Sequence, residues 1–173
     1  MTITLIMMQS LNGKIAHNQN DKLAWSGKAD KLNFKIQLLK SELAIMGSST
    51  YKQLSLEARS KLKGIILTRH PDDYASEKYS GVEYSNLTPI ELVAELKSRK
   101  IETVALVGGS LTNLAFFKAN LVDFINISIA PIILTTGINL VAELEDIRVN
   151  LELIDFIRLD KNTLNLSYKV IKS

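Results

Sequence analysis

The stretch Thr103–Pro131, TVALVGGSLTNLAFFKANLVDFINISIAP, decides the fold. Thr103–Val107 is an apolar run of strand length that stops at Gly108-Gly109. Ser110–Lys118 then reads as a helix. Asp123–Ala130 carries Ile125, Ile127 and Ile129 at a spacing of two, the period of one face of a strand, and Pro131 ends it. Strand, helix and strand within about thirty residues is the unit from which parallel sheets are built.

The same alternation extends outward in both directions. Ile3–Met8 is a continuous apolar run and reads as a buried strand. Gln9–Gly27 is polar and long for a loop in a compact domain, and loops of that length are usually functional. Ala29–Leu43 places Leu32, Ile36, Leu39 and Leu43 at helical intervals. Leu43–Met46 is a short strand ending at Gly47, and Ser48–Leu54 starts the next helix. Gly64–Thr68 is another strand, and Val82–Tyr84 a shorter one. Thr88-Pro89-Ile90-Glu91 starts a helix that runs to about Arg99: Thr caps it, Pro takes the first helical position and Glu the third. At the far end, Ile147–Leu159 and Leu164–Ile171 alternate around Asp160–Thr163, which predicts an antiparallel hairpin. The expected architecture is one α/β domain over residues 1–173. Its central sheet is mostly parallel, flanked by helices on both faces, and ends in that hairpin.

Composition narrows the chemistry. The 173 residues are 46% hydrophobic and 23% charged, which excludes intrinsic disorder. There is no cysteine, so disulfides, thiolate nucleophiles and cysteine-ligated zinc are excluded. Two histidines, His17 and His70, do not make a metal site. The net charge of +3 comes from scattered basic residues rather than a block, which argues against a nucleic-acid partner. No apolar run reaches the roughly 18–20 residues of a membrane span. The apolar start lacks the basic leader and cleavage site of a signal peptide. A cytoplasmic protein acting on a small molecule is the expectation.

Ligands of open parallel sheets bind beyond the carboxyl ends of the strands. Four features fall there: the Gln9–Gly27 loop, Gly47-Ser48-Ser49-Thr50, Leu67-Thr68-Arg69-His70, and Gly108-Gly109-Ser110-Leu111-Thr112. Two of them lead directly into helices. A glycine there lets backbone approach a phosphate, and the helix start supplies free N–H groups. The same residues also serve as plain turns and caps. Neither site has the spacing of the dinucleotide fingerprint or the Walker loop. Asp30, in the first turn of a predicted helix, is either a dipole-stabilised charge or a buried carboxylate gripping a nitrogen heterocycle. Trp25, the only tryptophan, sits in the polar loop, where it covers either a ligand or the core.

Taken in order, Trp25-x4-Asp30, IMGSSTY (45–51), IILTR (65–69) and LVGGSLTN (106–113) resemble the dihydrofolate reductase superfamily over nearly the whole chain. SLNGKIA (10–16), VALVGGSLTNLAFFKANLVDFINISIAPIIL (104–134) and the terminal hairpin are similar to the reductase of riboflavin synthesis, which occurs alone or as the C-terminal domain of a bifunctional deaminase–reductase. The resemblance implies NADPH as cofactor and hydride transfer to a nitrogen-rich substrate. It implies that Gly47, Ser48, Ser49 and Thr50 hold cofactor phosphates and that Thr68 and Arg69 line the adenosine side. It further implies that Gly108 and Gly109 share a non-proline cis peptide bond, with Ser110, Leu111 and Thr112 at the pyrophosphate. Asn12, Ile15 and Ala16 would lie beside the nicotinamide. Asp30 would be the catalytic group that bonds the substrate ring, and Trp25, Phe34 and Leu54 would complete the substrate site. No metal is implied, and such reductases are commonly homodimers.

The pattern also departs from its relatives. Leu62 stands where dihydrofolate reductases carry an arginine for the folate tail. The Asp-Asp-Pro-x-Leu segment of riboflavin reductases is missing after Thr50. Val107 replaces their acid before Gly-Gly, and Thr135-Thr136-Gly137 replaces a later Gly-Gly. The cofactor side is better kept than the substrate side. A dihydrofolate reductase proper and a non-catalytic nucleotide-binding module are the rival readings.

Overall fold

The structure, a computed structural model, describes residues 1–21, 25–77, 79–143 and 146–172. Its strands are β1 (Thr2–Ser10), β2 (Lys14–Ala16), β3 (Leu43–Gly47), β4 (Gly64–Leu67), β5 (Val82–Ser85), β6 (Thr103–Leu106), β7 (Phe124–Ala130), β8 (Ile138–Asn139), β9 (Asn150–Arg158) and β10 (Leu164–Ile171). Its α-helices are α1 (Lys28–Leu38), α2 (Ser48–Lys52), α3 (Leu56–Ser60), α4 (Pro89–Ser98) and α5 (Ser110–Lys118).

Eight strands form one sheet in the order β5-β4-β3-β6-β1-β7-β10-β9. The six from β5 to β7 are parallel, and β10 and β9 are antiparallel to their neighbours. The central strands read as unbroken apolar runs because both faces are covered. On one face, Ile3, Leu5, Ile45, Val104, Leu106, Ile125 and Ile127 pack under Leu92, Val93 and Leu96 of α4 and Phe116 of α5. On the other, Ile6, Met46, Ile66 and Ala105 pack under Tyr51 of α2 and Phe34 and Leu38 of α1. The predicted start at Thr88 is a complete capping box: Thr88 Oγ1 accepts from the Glu91 N–H, and Glu91 returns the contact to the Thr88 N–H at 2.8 Å.

Three expectations need correction. Leu32, Ile36 and Leu39 lie on the outer side of α1, with Leu39 85% exposed, while Asp30, Asn33, Phe34 and Leu38 face inward. Periodicity identifies an apolar stripe but not which way it points, and here the inner face is half polar. The Gln9–Gly27 stretch is not all loop, since Lys14–Ala16 pairs with Ile138–Asn139 as a small antiparallel ribbon. The first hairpin strand begins at Asn150 rather than Ile147.

Beside α2 the second core layer ends in a tyrosine cluster. The Tyr51 hydroxyl donates to Glu77 Oε2 at 2.9 Å and accepts from the Tyr84 hydroxyl at 2.9 Å. Tyr74 stacks on Tyr84, and Arg59 lies over the Tyr51 ring while pairing with Glu77 at 3.3 Å. Burial, joined by the Tyr84 hydroxyl and the Glu77 carboxylate, pushes the Tyr51 hydroxyl far above its ordinary pKa of 10.0. Burial likewise raises that of Tyr84. Both groups stay protonated in the folded chain and ionise near pH 10 in the unfolded one, so their contribution to stability is full below pH 10 and falls as pH rises above it. Tyrosinate absorbance should therefore rise in two phases, the second coinciding with loss of the far-ultraviolet circular dichroism of the fold. A single phase with all five tyrosines ionised and the fold intact would contradict this.

Candidate functional site

Strands β3 and β6 lie side by side and end together. The Val107 N–H donates to the Ile45 carbonyl at 2.8 Å, and the Gly47 N–H donates to the Gly108 carbonyl at 2.7 Å. From there the chain leaves in opposite directions: β3 runs through α2 and α3 to β4, and β6 runs through α5 to β7 on the far side of β1. Adjacent strands with diverging connections open a crevice at their carboxyl ends, the usual ligand position in such sheets.

Glycine is needed to let the walls of this crevice meet. A Cβ on Gly47 would lie 2.7 Å from Thr112 Oγ1, and one on Gly109 would lie 3.1 Å from Thr50 Oγ1. A Cβ on Gly108 would lie 2.9 Å from the Met7 thioether, and Gly108 has φ +86°. The Gly108–Gly109 peptide bond is cis, as the resemblance implied. Gly47 and Gly109 are themselves the N-cap residues of α2 and α5, so neither helix start has a side-chain cap. The first-turn N–H groups of both helices, the Thr50 and Thr112 hydroxyls, and three glycine backbones thus gather within a few ångströms. Ser48, Ser49 and Ser110 belong to the same two first turns, and Leu111 is exposed beside them.

Thr68 and Arg69 follow β4, the neighbour of β3 away from β6. The Thr68 N–H donates to the Ser85 carbonyl at 2.9 Å, which fixes this strand end, and Arg69 is exposed. Their place beside the α2 side of the crevice suits an extended ligand lying across the strand ends.

The loop after β1 is pinned by one residue. Asn12 Oδ1 accepts from the Ser10 hydroxyl at 2.8 Å and from the Leu134 N–H at 3.1 Å, and Asn12 Nδ2 donates to the Leu134 carbonyl at 2.8 Å. The Asn12 amide is thus engaged by backbone 122 residues away. Ile15 and Ala16 are buried in the β2–β8 ribbon. In that ribbon Lys14 Nζ donates to Asn139 Oδ1, and Asn139 Nδ2 donates to Glu143.

Asp30 lies in the first turn of α1 and is 6% exposed. Its Oδ2 accepts from the Ser26 hydroxyl at 2.8 Å, and no hydrogen bond to Oδ1 occurs among the described residues. A carboxylate held by one oxygen with the other open is a ready acceptor for a paired N–H donor. Trp25 is half-buried, and its indole N–H donates to Asp21 Oδ2 at 3.1 Å, the oxygen that also accepts from the His17 N–H. Phe34, Leu54 and Leu62 are partly buried, each packed against the second core layer. Leu62 is partly buried against that layer and lies between the exposed Lys61 and Lys63.

The structure brings the two glycine turns together and sets Asp30 in a separate buried position. Sequence reasoning missed Ser26, the partner of Asp30 one turn before it, and Asn113. Asn113 is fully buried; its Nδ2 donates to the Leu140 carbonyl at 2.7 Å and lies 3.1 Å from Met7 Sδ, and its Oδ1 has no partner among the described residues. An asparagine one turn after Gly109 in an apolar helix was the available signal.

Comparisons with known proteins agree with this geometry. No curated protein matches the sequence. Among solved structures, a protein of Shewanella sp. PV-4 described as a riboflavin biosynthesis protein aligns with a TM-score of 0.79 at 21% identity, covering 99% of both chains. The diaminohydroxyphosphoribosylaminopyrimidine deaminase/5-amino-6-(5-phosphoribosylamino)uracil reductase of Thermotoga maritima aligns at 0.76 and 17% identity, covering 98% of this chain and 56% of that one. The riboflavin biosynthesis reductase Rib7 of Saccharomyces cerevisiae aligns at 0.69 and 16% identity, covering 98% and 90%. At these identities the likeness is one of fold. The sequence pattern of the RibD C-terminal domain matches residues 50–164, two thirds of the chain, and on that match this chain belongs to the RibD C-terminal domain family.

Proposed function

We propose that this chain is an NADPH-dependent reductase of the riboflavin-synthesis type, acting on a nitrogen-heterocyclic substrate such as 5-amino-6-(5-phosphoribosylamino)uracil. The observation that carries the reading is the convergence of Gly47, Gly108 and Gly109, where a Cβ would press on Thr112, Met7 and Thr50 respectively. Such a cradle fits a ligand with two adjacent phosphates, because close backbone and free helix-start N–H groups are what a pyrophosphate needs. Gly47, Ser48, Ser49 and Thr50 would hold it from one side, and Gly108, Gly109, Ser110, Leu111 and Thr112 from the other. Thr68 and Arg69 would meet the adenosine end, where the guanidinium favours a 2′-phosphate and hence NADPH over NADH. Asn12, Ile15 and Ala16 would wall the nicotinamide end.

When bound, the cofactor supplies the hydride. The chain's residues supply position and a dry site. Asp30 Oδ1 accepts a ring N–H of the substrate, Ser26 keeps the carboxylate turned toward it, and Trp25, Phe34 and Leu54 fix the plane of the ring. Asp30, directly or through a water it orients, holds the proton balance at the ring. The Gln9–Trp25 segment excludes water, while Asn12 ties its first part to the scaffold. The partner is a small molecule, with neither nucleic acid nor membrane engaged, and the compartment is the cytoplasm. Among the described residues no helix is long and apolar enough to cross a membrane.

Titration with NADPH while exciting Trp25 should give saturable energy transfer to the cofactor, weaker with NADH. Absence of transfer, with no thermal shift from either nucleotide, would overturn the reading. Gly47→Ala should weaken NADPH binding about tenfold or more, since the added methyl meets Thr112 at the cradle. Asp30→Asn should lower turnover of the phosphoribosylamino substrate about 100-fold with NADPH affinity within about twofold, in the usual range for loss of an acid–base group. Loss of NADPH affinity in that variant with folding intact would remove Asp30 from the substrate side. Turnover of dihydrofolate in place of the pyrimidine would make the chain a dihydrofolate reductase.

A further inference from the structure

The loop after β1 and the segment after β7 are bound into one unit. The Leu11 N–H donates to the Ile132 carbonyl at 2.8 Å, and the Asn12 amide brackets the backbone of Leu134. Beyond that, Ala16 and Lys14 pair with Ile138 and Asn139, and the Leu140 N–H donates to the Gly13 carbonyl at 3.1 Å. The two runs of chain touch at Gly137, where a Cβ would lie 2.5 Å from the Ala16 carbonyl oxygen. Among the described residues, two hydrogen bonds tie this unit to the start of α5. The Ala142 N–H donates to the Ser110 carbonyl at 3.3 Å, and Asn113 Nδ2 donates to the Leu140 carbonyl at 2.7 Å.

Asparagine is a costly residue in that place. Asn113 is fully buried, and its Oδ1 has no partner among the described residues, which lowers stability. Reversing the amide would set Oδ1 against the Leu140 carbonyl, two acceptors facing each other, so the observed orientation is the one the chemistry allows. The other buried residues of α5 are Leu114 and Phe116. A leucine, branched at the same carbon as asparagine, would suit them without an orphaned oxygen. What asparagine supplies and leucine lacks is the donor for the Leu140 carbonyl. The Asn113 N–H donates to the Gly109 carbonyl at 2.9 Å, so the same residue is also fixed to the Gly108–Gly109 turn.

We propose that Asn113 is a positioning residue that sets the spacing between the two ends of the cofactor site. The inference rests on the cofactor reading above, in which Asn12, Ile15 and Ala16 wall the nicotinamide end and Gly109 and Ser110 belong to the phosphate cradle. The first three lie in the unit that Asn113 ties down, and the last two lie in the turn to which Asn113 is fixed. Asn113 acts through the Leu140 backbone rather than by touching cofactor or substrate. Without its bond the loop shifts against the cradle, while the cradle stays closed by the Gly47–Gly108 contact. Chemistry feels such a shift more than binding does. A displacement of about 1 Å at the reacting atoms costs on the order of 100-fold in rate, whereas the phosphates are still held.

Asn113→Leu removes the donor. In that variant the Leu140 and Ala142 amides should exchange with solvent about tenfold faster than in the wild-type chain, while the Phe116 amide is unchanged. Single-turnover hydride transfer from NADPH to 5-amino-6-(5-phosphoribosylamino)uracil should fall about 100-fold, with the Kd for NADPH, read from Trp25 energy transfer, within about threefold. A residue that only filled the core would give the opposite split, a lower Tm with turnover intact. Asn113→Thr, whose hydroxyl can turn back on the Gly109 carbonyl, removes the same donor by a second route should Asn113→Leu not fold, and carries the same expectations. In the unliganded wild-type chain the Leu140 amide should exchange about 100-fold slower than an open chain. Free exchange of that amide in the wild type, unchanged exchange in the variants, or unchanged turnover once exchange has quickened would each overturn the proposal. No NADPH binding by the wild-type chain would overturn the cofactor reading and this role with it, and the exchange rates would show whether the tie to Leu140 stands regardless.

Discussion

The site depends on one backbone contact, the 2.7 Å hydrogen bond from the Gly47 N–H to the Gly108 carbonyl. It joins the ends of two strands that arrive in parallel and depart in opposite directions. A side chain at Gly47 would collide with Thr112, so the contact demands glycine. Once it forms, α2 and α5 must begin within a few ångströms of each other, with their unsatisfied N–H groups directed to one crevice. The strand order follows the same constraint, since β6 must return between β3 and β1 for the two turns to become neighbours. Fold and cradle are thus one arrangement seen at two scales.

What could be read from the chain was local. Thr88 and Glu91 are three residues apart, and their reciprocal bonds need nothing else. Apolar runs such as Ile3–Met8 and Gly64–Thr68 state their own burial. Glycines at strand ends were legible as turns, and the joint order of the motifs supplied the cis peptide bond and the family. What could not be read was set by distant partners. Leu32, Ile36 and Leu39 satisfy the helical period, yet the sheet beneath α1 takes Asp30 and Asn33 instead. Asn12 meets Leu134, and no feature near Asn12 announces it. The site follows the same division: its phosphate cradle is built from contiguous residues, whereas Ser26 and Asn113 reveal their roles only through tertiary contacts.

On the β7–β10 seam the sheet carries a polar layer. Asn165 Nδ2 donates to Asn126 Oδ1 at 2.9 Å and to Ser128 Oγ at 3.2 Å, and Asn126 Nδ2 donates to Ser167 Oγ at 3.0 Å. Asn126, Ser128 and Asn165 are buried. By register these residues share the face of Ile6, the face on which α1 lies. A buried amide network adds less net energy than an apolar core of the same volume, but it strongly penalises misalignment. Slipping β10 by one residue would turn these amides into the apolar layer of Ile125 and Ile127 and leave them unpaired.

That specificity reaches the site through the hairpin. With β10 locked on β7, the turn between β9 and β10 has one position. Asp160 holds that turn in shape by accepting from the N–H groups of Asn162 and Thr163 at 2.8 and 2.9 Å, bonds that keep its carboxyl below the usual carboxylate range. A Cβ on Gly27, the residue that begins α1, would lie 3.6 Å from Asp160 Oδ2. The hairpin tip therefore abuts the start of α1, one residue beyond Ser26 and three before Asp30. The departure of the last two strands from the parallel pattern thus has a local consequence. An antiparallel hairpin carries its turn back to the carboxyl ends of the parallel strands, where it sets the position from which Asp30 is presented.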